Sequence, residues 1–113
     1  MHEMSLVLRI IDIATEKALL QGAQKISKIE LLLGDLSGVM YESLMFSFEI
    51  AVKHTLLEDA EVIVKKVPGR GLCTHCNHAY LMNSLHDACP KCSALNPTVI
   101  QGREFQVVSI DVI

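Results

Sequence analysis

The sequence predicts an α+β fold: two helices packed on a three-stranded mixed sheet, with a small cysteine-rich domain inserted ahead of the last strand. Three observations lead there. Two stretches repeat apolar residues at helical spacing, three alternate them, and two CxxC pairs fall between the second and third strands. At 113 residues the chain can bury one modest core and is too short for two large ones.

The first helix is read from "MSLVLRIIDIATEKALL", where Met4, Leu8, Ile11, Thr15 and Ala18 form one row and Val7, Ile10 and Ala14 lie beside it. Ser5 and Gly22 bracket it with the usual start and stop residues. In "KISKIELLLGD", Ile29, Leu31 and Leu33 recur at period two until Gly34, which marks a strand. Helical spacing returns through Met40, Leu44, Phe48 and Ala51, widened by Met45 and Val52; this methionine and phenylalanine stripe is read as core. "AEVIVKKV" is the second strand, closed by Pro68 and Gly69. The third is "REFQVVSIDVI", with Val108, Ile110 and Val112 alternating against Ser109 and Asp111.

A helix between the first two strands is a crossover, so those strands are expected to run parallel. The last two are expected to pair antiparallel, with the insertion as an enlarged hairpin connection. The expected division is residues 1–68 plus 103–113 for the main domain and 69–102 for the insertion. Pro68, Gly69 and Gly71 on one side and Asn96 and Pro97 on the other mark where it leaves and rejoins.

Half the residues are hydrophobic and a fifth are charged, a globular balance. Runs such as "LVLRIIDIA" are broken by Arg9 and Asp12, well short of the ~20 apolar residues of a membrane span. Glu3 stands where a secretory signal carries positive charge, so a cytoplasmic location is expected. A net charge of −3 lacks the basic field that nucleic acids need. Between residues 69 and 102 only Arg70 and Lys91 are basic and only Tyr80 is aromatic, which argues against a nucleic-acid-binding ribbon.

Cys73, Cys76, Cys89 and Cys92 form two CxxC pairs separated by twelve residues. Two residues between thiols allow a knuckle turn that aims both sulfurs at one point, and a facing knuckle completes a tetrahedron suited to Zn(II). Four thiolates close the shell, so the metal is expected to be structural. A thioredoxin-type pair lacks its strand and helix context, and haem attachment needs histidine where Asn77 and Ser93 stand. An iron–sulfur cluster also accepts four thiolates and stays open on sequence alone. The insertion is too short to offset its chain entropy by apolar burial, and metal binding would supply the difference. His75, His78 and His86 lie among the cysteines and are read first as loop histidines; entry into a pH-sensitive zinc shell is the sharper reading. His54, near the end of the second helix, is read as a partner for its last carbonyls.

The chain opens "MHEMS". A second residue as bulky as histidine is expected to protect Met1 from trimming, leaving its amine beside His2. Amine, amide and imidazole can close fused chelate rings around a planar ion such as Ni(II) or Cu(II). The opening amides of a helix have no intrahelical acceptors, so residues 2 and 3 can ligate without breaking the ladder, and Glu3 offsets the cation's repulsion by the macrodipole. On spacing alone, however, His2 is an exposed terminal residue and Glu3 an ordinary acid of a first turn.

Taken together, "MHEMS", "GDLSGV", "FSFEIAVKHT" and the twelve-residue-spaced CxxC ribbon resemble the HypA/HybF family of hydrogenase maturation nickel metallochaperones, over essentially the whole chain. The resemblance implies a nickel site on Met1, His2 and Glu3 and a structural zinc on Cys73, Cys76, Cys89 and Cys92. It implies delivery of nickel to the large subunit of a nickel–iron hydrogenase, with a HypB-type GTPase as partner. A closed zinc shell, with no nucleophile and base pair and no phosphate-cradling glycine loop, predicts no enzyme activity, and monomer and homodimer both stay open. Family members that exchange zinc ligands carry histidine directly after a CxxC pair, whereas this chain has Asn77 and Ser93, with His78 one residue late. The competing function is a zinc-stabilised interaction adaptor with no nickel site of its own.

Overall fold

The computed structural model describes residues 2–113. The elements in chain order are helix α1 (His2–Leu20), strand β1 (Ile26–Gly34), helix α2 (Tyr41–Ala51), and strands β2 (Glu61–Val67), β3 (Gly69–Leu72), β4 (Ala79–Met82), β5 (Thr98–Gln101) and β6 (Phe105–Val112). No helix is long and apolar enough to cross a membrane. The chain divides into two compact units, one of residues 1–31, 39–64 and 107–113 and the other of residues 32–38 and 65–106.

In the first unit, α1 buries Val7, Ile10, Ile11, Ala14 and Ala18, a stripe at three- and four-residue spacing. Leu8 sits round the edge of that stripe and is half exposed, against the sequence expectation. Gly22 ends the helix at φ 69, and the Gly22 and Ala23 N–H groups return to the carbonyls of Leu19 and Ala18 at 3.0 Å each. This closure satisfies two orphan carbonyls and needs a residue without Cβ at the left-handed position. Helix α2 buries Leu44, Ser47 and Phe48, while Met40 at the head of the expected stripe is exposed. It ends at Ala51, earlier than the helical spacing suggests, and His54 lies beyond the cap at φ 65 with its N–H donated to Glu58.

Three strands form a sheet in the order β2-β1-β6. Lys25 and Ile113 exchange reciprocal backbone bonds of 3.4 and 2.9 Å, the signature of antiparallel β1 and β6. On the other side Ile26 donates to Leu56 and Asp35 to Val67, so β2 runs with β1 and the sheet is mixed. The expected pairing of the last strand with β2 is therefore corrected: β6 lies on the far side of β1. The physical reason is burial. Ile26, Ile29, Leu31 and Leu33 make β1 the most buried strand, and a buried strand must have both edges paired. The flanking strands are half buried at best, with Val108 and Val112 exposed.

The second unit contains a sheet, in the order β4-β3-β5, where the sequence predicts no strands. Gly71 faces Tyr80 on β4 and Val99 on β5, and a bulge shifts the register between Arg70 and Gly71. Leu36, Tyr80, Met82, Cys73 and Cys89 form its core, with Ala94 and Val99 against them. Glycine is required at position 69, where a Cβ would stand 2.5 Å from the Met82 carbonyl oxygen and 2.7 Å from Leu36 Cγ. Glycine-rich "GRGL" has poor strand propensity, and pairing with β4 and β5 on both edges holds it extended.

Candidate metal centres

Cys73 follows β3 directly, and its N–H donates to the His78 carbonyl at 2.9 Å while Asn77 N–H returns to the Cys73 carbonyl at 3.1 Å. The second pair repeats the turn: Cys89 N–H reaches the Ala94 carbonyl at 3.0 Å, and Ser93 N–H the Cys89 carbonyl at 2.8 Å. In each, the residue after the second cysteine takes left-handed backbone, φ 60 at Asn77 and φ 64 at Ser93. That residue folds the chain back, so both sulfurs of a pair face the same point.

Backbone donors finish the knuckles. His75 and Cys76 N–H groups point at Cys73 Sγ at 3.4 and 3.5 Å, and Lys91 N–H at Cys89 Sγ at 3.4 Å. Such donors stabilise a thiolate. Across the knuckles, Cys73 Sγ lies 3.4 Å from Cys92 Sγ and Cys76 Sγ 3.7 Å from Cys89 Sγ. All four sulfurs fall within 4.8 Å of one another, and all four cysteines are free thiols. A tetrahedral ion with metal–sulfur bonds of ~2.3 Å needs sulfurs about 3.8 Å apart, so the donor set fits such a metal with little movement. Cys73 and Cys89 are buried, Cys76 and Cys92 exposed.

The crowding of sulfurs splits their acidities. The Cys76 N–H, then that of His75 and the neighbouring sulfurs, lower Cys73 to about 6 against burial. At Cys92 the Ala94 N–H works downward, but the hydrogen bond with Cys73, burial and the other two sulfurs outweigh it and push the thiol up to about 12. Without a metal the cluster thus holds one easily ionised sulfur and resists carrying four charges. A divalent cation removes that conflict.

His75 and His86 are exposed, and the His86 N–H donates to Ser84 Oγ at 3.1 Å. His78 is half buried and stacks on Tyr80, ring centroids 6.3 Å apart at 16°. Among the described residues the only group of three or more histidine, cysteine or acidic side chains placed to share an ion is the cysteine quartet. The Tyr80 hydroxyl is buried without a hydrogen-bond partner, and burial, then the Cys89 charge, raises its pKa.

At the other end of the chain, Met1 lies outside the described residues. His2 opens α1 exposed to solvent, and Glu3 follows with its Oε2 accepting the Met40 N–H at 3.2 Å. That bond, first, and its own backbone N–H hold the Glu3 carboxyl below the usual carboxylate range. Sequence reasoning missed the left-handed pair Asn77 and Ser93, although their identical place after each CxxC was a signal. It also missed the Glu3 contact, which joins residues far apart in the chain and leaves no local trace.

A family model described as "Hydrogenase/urease nickel incorporation, metallochaperone, hypA" matches residues 1–112. The hydrogenase maturation factor HypA of Prosthecochloris aestuarii is 39% identical over 110 residues, covering 97% of each chain. That of Geobacter metallireducens is 37% identical over 112 residues and 99% of each chain. Among solved structures, the nickel metallochaperone HypA from Helicobacter pylori superposes with a TM-score of 0.63 at 27% identity, covering 98% of this chain and 97% of that one. Two helices, a mixed sheet, a four-cysteine metal site and this likeness over nearly every residue together place the chain in the HypA family of nickel metallochaperones for hydrogenase maturation.

Proposed function

We propose that the chain carries one Ni(II), held by the Met1 amine, the His2 amide and imidazole and the Glu3 amide, and delivers it to the large subunit of a nickel–iron hydrogenase. Its working partner is a HypB-type GTPase, and its place of work is the cytoplasm. The observation that supports this best is the placement of His2, exposed at the opening turn of α1, where the backbone N–H groups have no acceptors inside the helix. Amine, amides and imidazole match the planar nitrogen set that Ni(II) accepts.

Cys73, Cys76, Cys89 and Cys92 would hold Zn(II), which supplies a cross-link between the two knuckles and leaves no open position for a substrate. The protein is then a carrier and not a catalyst. Protons compete for the amine and imidazole, so acid unloads nickel.

The test is nickel titration of the natively started chain against His2→Ala and against a chain extended before Met1. Both changes should abolish the site and hydrogenase activation while leaving the cysteine metal in place. Undiminished nickel binding in both would overturn the reading. A second reading, a zinc-stabilised adaptor without its own nickel site, draws on the completeness of the cysteine cluster without the N-terminus. It expects indifference to both changes.

A further inference from the structure

We propose that the Glu3 carboxylate is a positioning group and not a nickel ligand: it reaches from α1 to the backbone N–H that opens α2 and so fixes the turn carrying His2. The inference rests on the nickel reading above and deepens it. Met40 is the N-cap residue before helix α2, with φ of −83 and ψ of 119, and its own side chain makes no cap hydrogen bond. In a capping box, the residue three places into the helix returns a carboxylate to the N-cap N–H. Ser43 stands at that place in α2 and is too short for the task.

Glu3 fills it from another helix. Its Oε2 lies 3.2 Å from Met40 N, across thirty-seven positions of sequence. The carboxylate then sits at the N-terminal ends of both α1 and α2, where each helix favours negative charge. One oxygen committed to Met40 ties down the first turn of α1, which terminal residues otherwise leave frayed. A chelate of amine, amides and imidazole fixes that turn in one conformation, and ordering it in advance lowers the cost of binding.

The experiment uses the untagged, zinc-loaded full chain and Ni(II) alone as probe, reading affinity by competition and ligand identity from the visible absorption bands. Met40→Pro deletes the donor at a φ that proline adopts, and Met40→Ala keeps it. Glu3→Gln keeps an acceptor oxygen without the charge, and Glu3→Ala removes both. Met40→Pro and Glu3→Ala should each weaken nickel about tenfold with unmoved bands, whereas Glu3→Gln and Met40→Ala stay within about threefold of the parent. Moved bands in Glu3→Gln, or parental affinity in Met40→Pro, would overturn the proposal. Should Met40→Pro lose helix content, the parent's Met40 amide decides: continued protection from exchange on nickel loading supports the tie, and exposure overturns it. A parent chain that binds no nickel, or binds it equally as His2→Ala, sinks the carrier reading instead.

Discussion

Asn77 and Ser93, sixteen positions apart, share one left-handed backbone conformation and one hydrogen bond back to the first cysteine of their pair. A residue with Cβ pays roughly 1–2 kcal/mol for that conformation, asparagine least. Asn77→Gly and Ser93→Gly should therefore leave the knuckles intact or firmer. Asn77→Val should loosen the metal, seen as faster loss to a competing chelator and a lower melting temperature. Equal chelator resistance in the valine variant would refute the account.

Gly69 is a packing constraint rather than a flexible joint. Its φ is not left-handed, and a Cβ would meet Met82 oxygen and Leu36 in the core of the second unit. Gly69→Ala should destabilise by about 1–3 kcal/mol through overpacking. Chemical denaturation of the metal-loaded protein measures it, and an unchanged midpoint would show the site has room.

Metal removal should dissolve the packing around Tyr80 and Met82, because the core there is small and two of its members are Cys73 and Cys89. Near-ultraviolet dichroism and the Met82 methyl signal report it; unaltered spectra after complete chelation would contradict the claim. In the metal-free folded chain, Cys73 ionises at about 6, below its ordinary 9.0. Its contribution to stability is full above the unfolded value and is lost as pH falls through about 6. Cys92, raised to about 12, contributes fully below 9.0 and loses its share as pH rises through 12.

Glu3 gives a second, acid-side dependence. Its folded pKa lies below 4.5 chiefly through the Met40 N–H, so the tie is fully present above 4.5 and fades as pH drops through the folded value. Acid titration followed by the Met40 amide shift should show that loss. In Glu3→Gln the shift should stay flat.

Periodicity made both helices and the main strands legible, since Ile10, Ala14, Ile29 and Leu31 are buried where their spacing places them. The cysteine quartet was legible for a similar reason: paired spacing constrains a local turn, and local turns leave marks in sequence. Strand order was not, because alternation says which face is buried but nothing about which neighbour sits alongside. The strands β3, β4 and β5 are not legible because each is only four residues long, too short for alternation to show, and glycine-rich "GRGL" is held extended by its pairing with β4 and β5. The same limit hid Glu3 and Met40, whose contact exists only once two helix ends are brought together.

The sheet β4-β3-β5 has two outer strands of just four residues each. Leu81 and Ile100 stand exposed on them, a combination that on longer ribbons would invite fibril-like stacking. Shortness itself is the safeguard: so brief a rim presents too few unsatisfied main-chain groups to template another molecule, and a crowded cell can tolerate greasy side chains there.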